Sequence, residues 1–530
     1  MVKLNRSFWV LILFSIAILS IQFKGSFGSE STNEAYVTLL YGDEFLLGVR
    51  VLGKSIRDTG SNKDMVVLVS DGVSDYSKKL LKADKWKVEK ISLLANPNQA
   101  HPKRFWGVYT KLKIFNMTDY KKVVYLDADT IVVKNIEDLF KCSKFCANLK
   151  HSERLNSGVM VVEPSEALFN DMMQQVKTLS SYTGGDQGFL NSYYPDFPNA
   201  RVFDPSLSPQ VMKTRPVPKM ERLSTLYNAD VGLYMLANKW MVDDSKLQII
   251  HYTLGPLKPW DWWTAWLVKP VDVWHSIRVS LEETLPGTGG GKTPNDEFIV
   301  KFLFLLPLCG LLFCLYRSIQ GRDLFGSLSR SSVYNLYCKL RSNGYSGLST
   351  LNSNYQLHTG SNSKVPQYLG AVSVVVCFVA VLTSIGVSFM IVPRQITPWT
   401  GLILVYEWTF TIFLLSYGGF LLVIYQYGKK IAVETTESSV DDSGKVHQRA
   451  DASCDFTTWY YGLGMVFLAF AAISLPYLLG VTSLFLRLGL MIAVAIVLVS
   501  FMTHASEQLA IRWFLKGLED GDTTRSKSIC

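Results

Sequence analysis

The order of apolar and polar positions divides the chain into two parts that meet near residue 290. Between residues 35 and 285, short apolar runs alternate with amphipathic stretches. Three of these runs, Ala35–Leu40, Met65–Val69 and Val123–Leu126, have the length and composition of buried strands, with helical patterns between them. The alternation predicts an α/β domain over residues 29–285.

Beyond a glycine-rich stretch, the pattern changes to long apolar runs. Residues 286–297, with three consecutive glycines, are predicted to form a linker. Each run that follows is long enough to cross the roughly 30 Å hydrocarbon core of a bilayer. The runs are Phe298–Tyr316, Leu369–Val392, Leu402–Ile424, Trp459–Leu479 and Leu484–Met502. We therefore expect an all-α, multi-pass transmembrane domain of about five helices over residues 298–502, followed by a tail at residues 503–530.

The beginning of the chain has the layout of a secretory signal. Lys3 and Arg6 precede an apolar run, and small residues follow at Ser26 and Gly28. Residues 1–28 are therefore predicted to be a signal peptide or a signal anchor, with cleavage after Gly28 favoured. Either form would place the α/β domain in the lumen of the secretory pathway.

Positive charge in the loops supports this orientation. The chain has a formal net charge of +9, and residues 317–364 contain six basic residues against one acid. Short basic loops remain cytoplasmic, so this segment, Lys429-Lys430 and the tail at residues 503–530 are expected on the cytoplasmic side. The basic residues do not form a dense patch interleaved with aromatic residues, and we expect no nucleic-acid partner.

The cysteines give no sign of a zinc site. The eight cysteines lack zinc-ligand spacing, and most lie in or beside apolar stretches. Cys142 and Cys146 could form a disulfide in an oxidising lumen or remain as two free thiols, and the sequence leaves both open. The composition, 48% hydrophobic and 18% charged, fits a chain that is partly embedded in lipid.

Two acids follow the predicted strand Val123–Leu126. They are Asp127 and Asp129, separated by Ala128. In open α/β sheets, ligands bind beyond the carboxyl ends of the strands. Carboxylates suit Mg²⁺ or Mn²⁺, which can bind a substrate diphosphate at the same time. Two solvated acids in an ordinary turn would show the same pattern, so other motifs have to distinguish a metal site from a turn.

Three further motifs follow in order along the chain. They are Asn156-Ser157-Gly158, then Gly184-Gly185-Asp186-Gln187-Gly188, then His251 followed by Gly255 and Lys258-Pro259-Trp260. Together with the two acids, this series resembles glycosyltransferase family 8, the glycogenin-like enzymes, over residues 35–260. The resemblance implies a GT-A (Rossmann-like) α/β fold, a UDP-sugar donor, Mn²⁺ in preference to Mg²⁺, and retention of the anomeric configuration.

The resemblance also implies roles for individual residues. Asp127, Asp129 and His251 would bind the metal. Lys111 and Lys258 would bind the donor, and Lys111 and Asp186 are the expected catalytic residues. Attack from the front face and a covalent intermediate on Asp186 both remain open. The other expected donor-site residues are Ala128, Asn156, Ser157, Gly158, Thr183, Gly184, Gly185, Gln187 and Gly255.

The chain departs from the glycogenin pattern at two positions. Thr183 stands where that pattern has an aspartate, so a charge-based contact to a glucose hydroxyl is not expected there, and the donor sugar need not be glucose. The spacing from His251 to Gly255 is one residue longer than usual. We expect the loop to bulge and Lys258 to be displaced.

The combination of signal, catalytic domain and multi-pass C-terminal part resembles those family members that transfer glucuronic acid from UDP-glucuronate to inositol phosphorylceramide in Golgi membranes. A sphingolipid acceptor is therefore expected, and the five tryptophans between residues 260 and 274 suit a membrane interface. Glu407, inside an apolar run, is a weaker indication of function. The alternatives are a polysaccharide (xylan) or protein acceptor, or a transporter or scaffold that binds a nucleotide sugar without turnover. No oligomeric state follows from the sequence.

Overall fold

The computed structural model describes residues 33–96, 107–150, 153–207, 210, 214, 216–253, 255, 257–281, 296–323, 365–437 and 454–526. Within them, the chain forms two compact units. One contains the described residues up to Phe45, together with Leu52–Asn228 and Lys246–Ile250. The other contains Leu46–Val51, Ala229–Ser245 and the described residues from His251 onward.

The first unit is built on a mixed sheet of eight strands. The strands are β1 Glu34–Leu40, β2 Asp64–Val69, β3 Lys87–Lys90, β4 Lys122–Leu126, β6 Phe145–Leu149, β7 Leu155–Val162, β8 Arg201–Val202 and β9 Glu221–Leu223. Their order in the sheet is β3-β2-β1-β4-β7-β6-β9-β8. β7 is antiparallel to both of its neighbours, and the other pairs are parallel. β5 (Thr130–Val132), β10 (Ala229–Asp230) and β11 (Ile249–His251) belong to a second, three-stranded sheet.

Short helices connect the strands, and side-chain caps fix where some of them begin. Ser74 accepts a hydrogen bond from Ser77 N at one helix start, and Ser165 accepts one from Leu168 N at another. The helices are α1 Leu46–Asp58, α2 Asp75–Ala83, α3 Glu166–Gln175, α4 Asp186–Tyr193, α5 Val231–Ala237, α6 Thr264–Leu267 and α7 Val271–Ser280, and a 3₁₀ segment covers Val108–Asn116. The alternation of strands and helices confirms the predicted α/β class.

Long helices follow the α/β part of the chain. They are α8 Asp296–Asp323, α9 Tyr368–Ile391, α10 Pro398–Glu437, α11 Cys454–Leu478 and α12 Leu484–Ser526. Among the described residues, four segments are long and apolar enough to cross a membrane: Tyr368–Ile391, Pro398–Ala432, Tyr460–Leu478 and Leu484–Gly521. The first expected span, residues 298–316, lies within α8, part of whose side chains fall outside the described residues. α12 continues beyond Met502, where the sequence suggested the start of the tail.

Glycines allow α10 and α12 to pack closely. A Cβ atom added at Gly517 would lie 2.1 Å from the carbonyl oxygen of Tyr425, and one at Gly428 would lie 2.3 Å from that of Phe514. Gly517 and Gly521 are four residues apart, the spacing of small residues that lets two membrane helices approach each other. Their backbones therefore make contacts that any larger side chain would prevent.

The structure resolves the alternative left open for the cysteines. Cys142 and Cys146 are joined by a disulfide, and both are buried. The backbone N–H of Ser143, between them, donates to the carboxylate of Glu221 at 3.1 Å. The expected signal at residues 1–28 and most of the 286–297 linker and the basic 317–364 segment lie outside the described residues.

Candidate active site

The two acids of the Asp-x-Asp motif lie in a tight turn at the carboxyl end of β4. β4 is buried along its whole length, because it lies between β1 and β7 in the sheet. Asp127 N donates to Gly158 O at 2.9 Å, and Thr130 N donates back to Asp127 O at 3.0 Å. These bonds fix the turn, so both carboxylates emerge at the edge where ligands of α/β sheets bind.

His251 completes a possible metal site with the two acids. It is the last residue of β11, and its side chain is buried. Asp127, Asp129 and His251 each offer one ligand atom, and these atoms all lie within 4.8 Å of one another. Two carboxylate oxygens and one imidazole nitrogen are donors that suit a divalent ion such as Mn²⁺, so the residues fit the expected metal.

Lys111 pairs with both acidic residues expected at the centre of the site. Its ammonium lies 2.9 Å from Asp127 Oδ1 and 3.2 Å from Asp186 Oδ2. Burial alone would lower the pKa of Lys111, but the adjacent carboxylates of Asp127 and Asp186 outweigh burial and raise that pKa above its ordinary value. The lysine is therefore a permanent cation that holds the two acids together.

Asp186 is the first residue of α4, and its carboxylate is already engaged. Ser157 Oγ donates to Asp186 Oδ2 at 2.8 Å, and Lys111 pairs with the same oxygen. Asp186 is only 8% exposed. Both contacts are made by hydrogen-bond donors to the same oxygen, so they hold the Asp186 carboxylate in one position.

The loop before α4 shows what Thr183 does in this chain. Its hydroxyl oxygen accepts hydrogen bonds from Gly185 N at 3.2 Å and Gly188 N at 3.1 Å. Gly184 adopts φ +71, a backbone conformation that favours glycine, and its carbonyl accepts a bond from the side chain of Asn96. The threonine thus organises the helix start, a role that an aspartate at this position could also fill.

Asn156 and Gln187 belong to one polar network. Asn156 Nδ2 donates to Gln187 Oε1 at 3.0 Å, and Asn228 Nδ2 donates to Asn156 Oδ1 at 2.8 Å. Gly158 N also donates to Asn156 Oδ1. The two side chains singled out by the motifs are therefore brought together, and Asn228 orients the amide of Asn156.

The described residues directly after His251 include a tight turn. Thr253 N donates to His251 O at 3.0 Å, and Gly255 adopts φ +63. The backbone carbonyl of Lys258 accepts hydrogen bonds from Asp261 N and Thr264 Oγ1, both at 3.1 Å. These bonds fix the backbone of the lysine expected to bind the donor.

Sequence reasoning missed several residues at the site. Tyr125 donates from its hydroxyl to Asp127 Oδ1 at 2.8 Å, and the Lys111 ammonium lies 5.1 Å from its ring centroid. Burial and the nearby Asp127 raise the pKa of Tyr125, so its hydroxyl keeps its proton. The two-residue period of a strand puts Tyr125 on the same face as Asp127, a signal that could have identified it. Asn96 and Asn228 are distant in sequence and carried no such signal.

Comparisons with known proteins show to which family the chain belongs. Residues 36–144 match the family model for glycosyl transferase family 8. The chain is also 79% identical to inositol phosphorylceramide glucuronosyltransferase 1 from Arabidopsis thaliana, in an alignment that covers 100% of this chain and 99% of that protein. The chain belongs to glycosyltransferase family 8. It is an enzyme that transfers a sugar, and its long apolar helices make it a membrane protein.

Other similar proteins match a smaller part of this chain. UDP-glucuronate:xylan alpha-glucuronosyltransferase 1 from Arabidopsis thaliana is 35% identical over 177 residues, which is 33% of this chain and 27% of that protein. Among solved structures, galactosyltransferase LgtC in complex with donor and acceptor sugar analogs gives a TM-score of 0.35 at 18% identity, covering 49% of this chain and 100% of LgtC.

Proposed function

We propose that this chain transfers glucuronic acid from UDP-glucuronate to inositol phosphorylceramide, with retention of configuration and with Mn²⁺. The observation that carries the proposal is the 79% identity to a glucuronosyltransferase named for that lipid, over the full length of both proteins. The match therefore includes the apolar helices as well as the catalytic domain.

The length of the matches favours a lipid acceptor over a polysaccharide. The alignment to the xylan enzyme covers 177 residues, which is too short to include both the α/β domain and the apolar helices. A water-soluble or cell-wall acceptor gives no reason for several membrane spans, whereas a lipid acceptor has to be met at the bilayer. The helices thus favour the lipid.

Each residue of the site would have a distinct role. Asp127, Asp129 and His251 would hold Mn²⁺, whose positive charge stabilises the departing nucleoside diphosphate. Lys111 keeps Asp127 and Asp186 close together despite their like charge. Lys258 would bind the diphosphate, and Asn156 and Gln187 would orient the donor sugar through their paired amides.

The same proposal includes a Golgi location with the catalytic domain in the lumen. The disulfide between Cys142 and Cys146 supports an oxidising compartment. The connections between α9 and α10 and between α11 and α12 both contact residues 238–278: Arg278 donates to Gln395 O, and Asn238 donates to Thr482 Oγ1. This arrangement agrees with the orientation expected from the basic loops.

The test is transfer of label into lipid. Membranes that contain the full chain, or its Asp127→Ala/Asp129→Ala variant, are incubated with Mn²⁺, radiolabelled UDP-glucuronate and inositol phosphorylceramide. We expect label in the lipid fraction with the wild type alone. Parallel reactions use UDP-glucose as donor or xylan oligosaccharides as acceptor. Transfer only to xylan, or only from UDP-glucose, would contradict the proposed substrates while leaving the catalytic site intact.

A further inference from the structure

Arg394 is an exposed cation in the six-residue connection between α9 and α10. Its Nη2 donates to Asp261 Oδ2 at 2.8 Å, and its guanidinium carbon lies 5.3 Å from the centroid of the Trp263 ring. The Asp261 side chain is 2% exposed, but that of Arg394 is 63% exposed. The guanidinium is thus held on one side by an acid and an aromatic face, while most of it faces outward.

The connection that carries Arg394 is rigid. Trp262 N donates to Arg394 O at 3.1 Å, and the Trp262 ring stacks on Phe389 at 5.6 Å. The guanidinium of Arg278 donates to Gln395 O at 2.8 Å and to Ile396 O at 3.1 Å. Burial lowers the pKa of Arg278 to about 10, so this arginine remains protonated at neutral pH and keeps both bonds. The backbone around Arg394 is therefore fixed before any ligand arrives.

The position of Arg394 between two candidate spans indicates that it lies near the level of lipid head groups. The helices on either side of the connection, α9 and α10, contain two of the candidate spans, so the residues between them meet the membrane surface. The ring centroids of Trp266 and Trp399 lie 4.9 Å apart, and the indole N–H of Trp266 donates to Pro398 O. Tryptophans concentrate at this depth because their rings are amphipathic.

The same contacts connect Arg394 to the donor-binding loop. Asp261, the partner of Arg394, donates from its backbone N–H to Lys258 O at 3.1 Å. Asp261 and Lys258 are three residues apart, and three residues of chain span at most about 11 Å. The Arg394 guanidinium is therefore held close to the lysine expected to bind the diphosphate of the donor.

An arginine in this setting suits a phosphate ester. Its planar guanidinium can donate two parallel N–H bonds to one phosphate, a geometry that an ammonium cannot match. We propose that Arg394, held in place by Asp261 and Trp263, binds the phosphodiester of the lipid acceptor and so positions its head group beside the donor loop. This inference rests on the proposed lipid acceptor and deepens it.

The test compares Arg394→Gln with a matched control. Lys269→Gln removes another exposed cation, one that pairs with the exposed Asp272 at 2.6 Å. The full chain is reconstituted in nanodiscs with inositol phosphorylceramide at varied density. We expect the KM for this lipid to rise about 10-fold or more in Arg394→Gln, because a hydrogen bond to a charged group is lost. The KM for UDP-glucuronate and the slow hydrolysis of UDP-glucuronate without acceptor should change less than about 2-fold, and Lys269→Gln should match the wild type.

Three further arms make the result decisive. Arg394→Lys should recover part of the loss, because it restores the charge without the planar pair of donors. A neutral inositol lipid without phosphate should be used equally by wild type and Arg394→Gln. Inorganic phosphate should not compete with the lipid; competition at millimolar concentration would assign a free-anion site instead and overturn the proposal.

The outcomes separate this inference from the function on which it rests. If wild type fails to modify inositol phosphorylceramide, the proposed function is wrong and the inference is overturned with it. If wild type is active and Arg394→Gln has an unchanged KM for the lipid, the inference alone is wrong. A uniform loss of activity with every donor and acceptor would show that Arg394 only holds the connection in place, and would also overturn it.

Discussion

Positive charge is held in different ways in the α/β part and in the helical part of the chain. In the α/β part, the Lys111 ammonium pairs with the carboxylates of Asp127 and Asp186. In the helical part, the guanidinium of Arg487 donates to the backbone carbonyls of Val481 and Trp266 at 2.5 and 2.9 Å. The first arrangement brings three charged side chains together. The second uses one charged side chain to connect two uncharged backbone carbonyls.

The difference indicates which charges serve chemistry. A carboxylate that is paired with an ammonium can also bind a metal ion. A backbone carbonyl that is bound by an arginine has a structural role alone. His275 provides a third case: it is buried, it lies beside Arg278, and both effects lower its pKa to about 3, so it carries no charge at neutral pH.

The largest expected effect comes from removing a charge at the predicted metal site. Asp127→Asn, or Asp129→Asn, should reduce transfer by about 10³-fold or more, because electrostatic stabilisation of the leaving group is the largest catalytic contribution. The measurement is the initial rate with UDP-glucuronate and lipid at saturating Mn²⁺. Asp119→Asn, an exposed acid nearby in sequence, is the control and should retain wild-type activity. Equal transfer rates in these variants and in the Asp119→Asn control would contradict the predicted metal site.

Removing Lys111 should damage both stability and activity. Lys111→Met leaves Asp127 and Asp186 without their shared cation, and breaking a buried pair typically costs about 3–5 kcal/mol in the free energy of unfolding. Thermal unfolding in detergent measures this loss. The double variant Lys111→Met/Asp186→Asn should recover part of the stability and none of the activity. If the double variant were no more stable than Lys111→Met, the ion pair between Lys111 and Asp186 would not be the source of the stability.

A close helix contact provides a test in the helical part. A Cβ atom added at Gly401 would lie 2.3 Å from the Trp262 ring, whereas one at Gly418 on the same helix meets nothing within 4 Å. Gly401→Ala should therefore lower the free energy of unfolding by about 1–3 kcal/mol, as overpacking does. Gly418→Ala is the matched control and should leave the unfolding midpoint unchanged. Similar midpoints for both variants would show that Trp262 can move aside.

The disulfide should affect stability more than catalysis. Replacing Cys142 and Cys146 by alanine opens a short loop, and loop-closure entropy predicts a loss of about 2 kcal/mol. Unfolding curves with and without reductant measure it, and reductant should have no effect on the variant. Transfer activity should stay close to wild type. An inactive but equally stable variant would show that the disulfide supports catalysis and not stability.

The smallest effect depends on pH. The pKa of His275 is about 3 in the folded chain, whereas that of an unfolded histidine is about 6.5, so below pH 6.5 the unfolded state binds the additional proton. Stability therefore falls as pH falls, by about 1.4 kcal/mol from this group near pH 5.5. His275→Gln should flatten the pH dependence of the unfolding midpoint between pH 7 and 5.5, and the exposed Ser276→Ala should not. Identical slopes would exclude His275 as the cause.

The local pattern of apolar and polar residues predicted much of the fold. The expected strands Ala35–Leu40, Met65–Val69 and Val123–Leu126 agree with β1, β2 and β4 to within one residue at their starts, because apolar runs between turns specify buried strands. The apolar runs likewise predicted the helices α9 to α12. Their ends were less predictable, because α12 continues as a helix through polar residues after Met502.

The site was predictable only where a motif or a strand period marked it. Asp127, Asp129 and His251 carried motif signals, and the structure brings their ligand atoms together. The contacts of Asn228 with Asn156, and of Arg394 with Asp261, join positions 72 and 133 residues apart. Such pairings follow from tertiary packing, and no local pattern in the chain specifies them.

The proposed mechanism depends above all on the metal site, and binding of Mn²⁺ tests that site most directly. Electron paramagnetic resonance of free Mn²⁺, titrated against the full chain in detergent with UDP present, measures the bound fraction without requiring turnover. We expect one Mn²⁺ site per chain in the wild type, and loss of this site in Asp127→Asn/Asp129→Asn and in His251→Ala. Equal binding by wild type and these variants would contradict it.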